Sequence, residues 1–197
     1  MPESQPLRDV RRAEILAAAR KLIAEQGLEA LTFSALEARL SFTRGVITYH
    51  FDNKADIIGA VLRDVVAEID AATYGPMTPS DDLLSAVQGV MSGMIRGFSS
   101  NREASAVLIS YWSQGPRDGG LHSELFARYR RHSSRLVRRA TGKLDPLATE
   151  ALASVMVAVV IGSVLQLYLS EGFAPVDAVV QEAVATVYAR LSQLSED

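Results

Sequence analysis

The sequence predicts an all-α protein: an N-terminal three-helix unit of helix-turn-helix type, then a larger helical domain. Two observations carry that expectation. Apolar residues recur at three- and four-residue spacing along most of the chain, and no alternation of apolar and polar residues runs long enough for a strand. Segments containing Gly or Pro separate the periodic stretches at lengths that helices need.

The first stretch, residues 11–26, puts Ile15, Ala19, Leu22 and Ile23 on one helical face, and Gly27 follows as its stop. Thr32 is placed to cap a short helix over residues 33–40. Residues 41–43 turn the chain, and Thr43 caps a second short helix over 44–50. Asp52 or Asn53 then opens a longer helix from Lys54 to about residue 73. Gly75, Pro76 and Pro79 mark a linker. Beyond it the pattern predicts helices near 81–99, 102–114, 121–142, 146–171 and 175–194. Gly115-Pro116, Gly119-Gly120, Asp145-Pro146 and the segment from Gly172 to Pro175 separate them. Residues 8–53 are therefore expected to form the first domain and 54–197 the second, with 54–73 as the connecting helix.

Composition removes several classes of function. The 197 residues are 48% hydrophobic and 22% charged, enough apolar content for a sizeable core. There is no Cys, which excludes disulfide frameworks, zinc ribbons and thiol nucleophiles. With three His and no Gly-x-Ser-x-Gly, His-Glu-x-x-His or Gly-Lys-Ser/Thr motif, no enzyme, metal site or cofactor is expected. Twenty Lys and Arg against 23 Asp and Glu give a net charge of −3, so a globally basic nucleic-acid binder is excluded while a local basic surface is not. Residues 1–12 are polar, so no secretory signal is expected, and the expected location is cytoplasmic. Residues 152–169 carry no formal charge and reach the length of a membrane span. Ser154, Gly162, Ser163 and Gln166 interrupt that run and Glu150 and Glu171 flank it, so it is read as a helix buried within the protein or between subunits, with no membrane partner.

Residues 33–50 are where a function shows. Leu36 and Leu40 face inward from the first helix, Phe42 plugs the turn and Ile47 packs from the second. Arg44, Gly45, Val46, Thr48 and Tyr49 are left near the outside of a helix short enough to enter a major groove. Tyr49, Phe51 and His50 can each serve alternatively as packing residues, and Arg44 as a solvated one.

From Arg12 to Leu62 the sequence resembles the tetracycline-repressor (TetR) family of bacterial transcription regulators. The likeness includes Glu25-Gln26-Gly27 at the end of the first helix and Thr32. It is most specific in Thr43-Arg44-Gly45-Val46-Ile47-Thr48-Tyr49-His50-Phe51 with Lys54. The resemblance implies that Thr43, Tyr49, His50 and Lys54 contact phosphates, that Arg44, Gly45, Val46 and Thr48 face bases, and that Thr32 belongs to the same surface. Hydroxyls and helix N-terminal amides are good phosphate partners. Three positions depart from the family pattern. Ser41 stands where Gly is usual, and a positive φ there would cost about 1 kcal/mol. Glu37 replaces a small residue and is expected either to splay the helix pair or to point into solvent. Thr48 replaces the first of two aromatics.

The family's C-terminal domain binds a small ligand and dimerises. Residues 104–172 look like the branch that includes the choline-responsive repressor, through Tyr111-Trp112-Ser113-Gln114, the arginines of 128–139 and Gly162. Met91, Met94, Phe98, Tyr111, Trp112, Met156 and Tyr168 are the candidate ligand contacts, since Met and aromatic side chains make adaptable apolar walls. Ordinary core is the alternative for each. Gly89, Gly93 and Gly97 recur every four residues, which favours close helix packing over a pocket. Arg128, Arg131, Arg135 and Arg138 share a face that could meet solvent, a subunit interface or an anionic ligand, and His132 lies near an apolar stripe. The expectation is a homodimeric, ligand-responsive regulator, a repressor released from a palindromic duplex operator by a small-molecule inducer. A helical ligand-binding or scaffolding protein that has lost DNA binding is the competing class.

Overall fold

In the computed structural model the described residues are 5–74, 82–114, 121–142, 144–169 and 174–196. The predicted breaks at Gly75, Pro76, Pro79, Gly115-Pro116, Gly119-Gly120 and Gly172 lie outside them. Among the described residues there are helices only: α1 (Gln5–Gln26), a 3₁₀ turn (Leu28–Ala30), α2 (Phe33–Glu37), α3 (Arg44–His50), α4 (Lys54–Tyr74), α5 (Leu83–Ser100), α6 (Arg102–Ser113), α7 (Leu121–Thr141), α8 (Pro146–Leu169) and α9 (Val176–Glu196).

Two boundaries differ from expectation. The first helix starts at residue 5, not 11, and α2 ends at Glu37, not residue 40. The amides of Arg39 and Leu40 donate to the carbonyls of Leu36 and Glu37, three residues back, so the helix tightens and closes early. That tightening corrects the expectation at Ser41 as well. No described non-glycine residue has a positive φ, so the turn between α2 and α3 needs no left-handed residue. Gly27 does adopt one, with φ 83°, where α1 stops.

The chain divides into two units, Met1–Glu68 with Glu103–Asp118 and Ile69–Arg102 with Gly119–Asp197. This differs from a single boundary at residue 54: α4 contributes its larger part to the first unit and its last turns to the second, and α6 groups with the first. In the first unit α1 buries Ile15, Leu16, Ala19, Leu22 and Ile23, and packs against α2 and α3. Arg20 of α1 pairs with Glu68 of α4 (2.7 Å) and Glu103 of α6 (2.6 Å). The amide of Leu28 donates to the Ser110 hydroxyl of α6 at 2.9 Å.

The second unit packs α5 against α7, α8 and α9, and α7 against α8 and α9. Each helix shows its apolar stripe: Val87, Met91, Met94, Ile95 and Phe98 on α5, Val180, Ala183, Val187 and Leu191 on α9. The arginines of α7 point outward while Tyr129, Ser133, Leu136 and Val137 point in. Close packing explains Gly93 and Gly97 of α5. A Cβ on Gly93 would lie 2.6 Å from the Thr73 carbonyl oxygen, and one on Gly97 would meet Thr73 Oγ1 and come within 3.3 Å of the Ile69 carbonyl.

Gly93→Ala is expected to lower stability by about 1–3 kcal/mol, because the obstructing atom is backbone, although alanine favours a helix by about 1 kcal/mol. Gly59→Ala on α4, whose added Cβ would find only the tip of Arg63, at 3.4 Å, should be neutral or stabilising. Urea denaturation of the two variants gives opposite signs if the contact is as described.

Candidate nucleic-acid interface

The helix pair is held from its apolar side. Leu36 of α2 and Ile47 of α3 are fully buried, and Phe51, just after α3, joins them. Phe51 is thus a core residue, as its alternative reading allowed. Thr32 caps α2, its Oγ1 accepting from the Ala35 amide at 3.0 Å. Asn53 caps α4, its Oδ1 accepting from the Asp56 amide at 3.0 Å.

The start of α3 is capped differently from expectation. Thr43 occupies the N-cap position, but its side chain makes no cap hydrogen bond. The Arg44 amide donates instead to Oε1 of Glu37, at 3.1 Å. Glu37 therefore neither splays the helices nor simply points into solvent: it ties α2 to the first turn of α3 and places a carboxylate where the helix dipole favours one. The Thr43 hydroxyl stays available for another partner.

The outer side of α3 is exposed. Tyr49 is 59% exposed, which removes the core alternative for it. Arg44, Gly45 and Thr48 are exposed, and Val46 and His50 half-buried. The Thr48 hydroxyl donates within the helix, lying 3.2 Å from the carbonyls of both Arg44 and Gly45. Toward a base it can then offer an acceptor and a methyl group. Lys54, half-buried, begins α4. All of the sequence-predicted set thus falls on α2, α3 and the start of α4, with Thr43 to Lys54 contiguous around the short helix.

Arginines of α1 complete the surface, and sequence reasoning missed them. The guanidinium of Arg8 lies over the Tyr49 ring (5.4 Å), that of Arg11 over Phe42 (4.8 Å) and that of Arg12 over Phe51 (5.2 Å). Arg44 lies over Phe33 at 5.4 Å. Three basic residues at helical spacing were a visible signal, but only the packing of α1 on α3 brings them beside the recognition helix. The guanidinium–ring contacts orient them, and Arg11 also pairs with Glu14 at 2.9 Å.

The candidate ligand contacts are divided. Met91, Met94 and Phe98 on α5 and Met156 on α8 are buried in the second unit, where Tyr168 is half-buried beneath the Arg102 guanidinium (4.9 Å). Tyr111, buried, and Trp112, half-buried, lie on α6 in the first unit.

Comparison with known proteins agrees with this geometry. Residues 15–61 match the family described as bacterial regulatory proteins, tetR family. The HTH-type transcriptional regulator BetI of Burkholderia thailandensis is 24% identical over 167 residues, covering 84% of this chain and 86% of that protein. The chain thus carries a tetR-family domain at residues 15–61 and is similar over most of its length to BetI regulators. Solved structures share its fold over nearly the whole length. A TetR-like regulator from Rhodococcus sp. RHA1 superposes with a TM-score of 0.76 at 15% identity, over 97% of this chain and 99% of that one. A regulator from Saccharomonospora viridis, crystallised in complex with choline, superposes with a TM-score of 0.71 at 20% identity, over 91% and 96%.

For the regulator, Lys54→Ala should weaken binding to all duplex sequences alike and reduce the slope of log K against log salt by about one unit. Arg8→Gln should act in the same way, whereas Arg44→Gln should change which sequences are preferred. Salt titrations on random and selected duplexes check all three.

Proposed function

We propose that the regulator is a homodimeric repressor that a small molecule releases from a palindromic operator, and that it acts in the cytoplasm without cofactor or catalysis. The observation that carries DNA binding is the exposed outer face of α3 on a helix pair fastened by Leu36, Ile47 and Glu37. Ser41 and Glu37, two of the three departures from the family pattern, are both accommodated in that pair. Thr43, Tyr49, His50 and Lys54 are assigned to phosphates, Arg44, Gly45, Val46 and Thr48 to bases, and Thr32 to the flank.

Support for the dimer comes from α8. Thr149, Ala153, Met156, Val157, Val160 and Val164 bury one side of it. The other side presents apolar residues to solvent, Val155 57% and Leu169 67% exposed, with Leu165 beside them. By length and composition α8 could cross a membrane, but its inner stripe is buried in the second unit and its flanks are acidic. An open groove of about 390 Å³ lined by Val159, Ser163, Val179 and Ala183 continues that surface on to α9. A Cβ at Gly162 would meet nothing within 4 Å, so this stretch has room for another backbone. A second copy of α8 and α9 would cover these residues, and a twofold dimer sets two recognition helices about 34–36 Å apart, one DNA turn.

The ligand is assigned to the second unit, with Met91, Met94, Phe98, Met156 and Tyr168 as its proposed contacts; Tyr111 and Trp112 belong to the first unit. Choline is what the Saccharomonospora viridis protein holds, and its identity is not carried over on a shared fold.

Selection of bound genomic fragments is expected to return inverted repeats with half-sites one DNA turn apart; fragments without symmetry contradict the repressor dimer. Light scattering should give a dimer for the wild type and monomers or aggregates for Leu165→Glu. A soluble wild-type monomer at micromolar concentration would rule out the α8 interface.

A further inference from the structure

Charge in the second unit is segregated. Seven of its ten Lys and Arg fall within residues 128–143, a stretch without a single Asp or Glu. The remainder of the unit has three basic residues and eleven acids. Arg128, Arg131, Arg135, Arg138 and Arg139 lie on one side of α7, and all five are exposed. The opposite side faces the core, where Tyr129, Leu136 and Val137 are buried. Arg128 is drawn inward to the carboxylate of Asp70 on α4, whose pKa burial raises against the pull of the guanidinium. Arg135 rests on its own helix, its Nε donating to the Arg131 carbonyl at 3.3 Å and its Nη2 lying 2.9 Å from Nδ1 of His132. Arg131 and Arg138 have no acid partner among the described residues.

Stability does not account for this row. Like charges three and four residues apart destabilise a helix. The helix dipole favours cations in the last turn, which covers Arg138 and Arg139 but not Arg131 or Arg135. In a unit that otherwise has an excess of acids, a row of one sign points to an anionic partner. The residues are arginines, whose planar forks pair with phosphate through two hydrogen bonds at once. From Arg128 to Arg139 the row runs about 16 Å along α7. Side chains spread along an axis suit an extended anion better than a small one. Between Arg128 and Arg139 the apolar side chains are all buried, so α7 has none there to lay into a bilayer. Nor does that stretch expose a ring for unpaired bases to stack on, with Tyr129 buried and His132 half-buried. Duplex DNA needs neither, and it carries one charge per about 1.7 Å of its axis. A chain with a helix-turn-helix also works beside duplex DNA, where phosphate is the polyanion at hand.

We propose that the arginine row of α7 is a second duplex-binding surface, separate from α3 and blind to sequence, through which the protein holds DNA outside its operator by the phosphate backbone. Arg131, Arg135 and Arg138 are its contacts, and each neutralises about one phosphate. Arg128, committed to Asp70, is not counted among them. One protein can then engage two stretches of duplex at once, and part of its non-specific affinity survives loss of the recognition helix.

The test uses full-length protein. Wild type loaded on an immobilised duplex should capture a second, labelled random duplex at low salt. Changing Arg131, Arg135 and Arg138 together to Gln should cut that capture about tenfold or more. A protein whose recognition surface is weakened by Arg8→Gln, Arg44→Gln and Lys54→Ala gives the second measurement. There the three Gln changes should lower the slope of log K against log salt for random duplex by about two to three units, and each alone by nearly one. The single changes sit at exposed positions, where substitution leaves the unit folded. No capture by wild type, equal capture by the triple Gln variant, or unchanged salt slopes would each overturn the proposal. So would loss of binding to a selected operator duplex in the triple Gln variant, because the row would then not be separate from α3. Polyglutamate, and vesicles of phosphatidylglycerol and phosphatidylcholine, are the control probes. If the Gln changes abolish binding to either while duplex capture is unchanged, the row serves an acidic protein or a lipid surface and the proposal fails.

Discussion

The second unit depends on a contact made possible by missing side chains. Gly93 and Gly97 let the backbone of α5 lie directly on the last turns of α4, against Thr73 and the carbonyl of Ile69. At that separation Ile69, Asp70 and Thr73 are all buried, although two of the three are polar. A larger residue in the stripe would push the helices apart and let water reach the Asp70 carboxylate. The glycines therefore create both the close packing and the dry surroundings in which a single carboxylate becomes chemically distinctive.

In the first unit electrostatics plays a different part. Most of its charged contacts are at the surface, where individual pairs contribute little to stability. Arg20, bridging Glu68 and Glu103, is the best placed of them, since one ordered side chain serves two partners across three helices. Of the other basic residues of α1, Arg8, Arg11 and Arg12 are set over aromatic rings, Arg11 also pairs with Glu14, and Lys21 pairs with Glu25. A protein with net charge −3 can in this way still present a locally positive edge to a phosphate backbone.

How much of this was legible follows from the range of each interaction. The helices, their apolar faces and the recognition stretch 43–51 depend on neighbours within a few turns, so spacing and motif reveal them. Leu36 and Ile47 proved buried for the reason their positions suggested. The cap from Glu37 to Arg44 was not legible, because it requires α2 to end early and the turn to bring the carboxylate back. The setting of Arg8, Arg11 and Arg12 depends on the packing of α1 on α3, which no local spacing shows. The burial of Asp70 was not legible either, since nothing local shows that α5 will approach that turn of α4 so closely. The Met and aromatic residues of α5 and α8 were expected as ligand contacts with ordinary core as the alternative; Met91, Met94, Phe98 and Met156 are buried and Tyr168 half-buried, and periodicity alone separates no pocket from a core.

The cap on α3 has an evolutionary consequence. A seven-residue helix is too short to be stable by itself and must take its order from its surroundings. Here that order comes from Ile47 beneath it, Glu37 at its head and Phe51 behind it, none of which faces outward to read a base. The exposed side chains of Arg44 and Thr48 and the bare Gly45 contribute little to holding the helix in place. Mutation can therefore rewrite the sequence preference one residue at a time without first passing through an unfolded protein. Duplicated copies of such a gene are free to drift toward new operators on an unchanged frame.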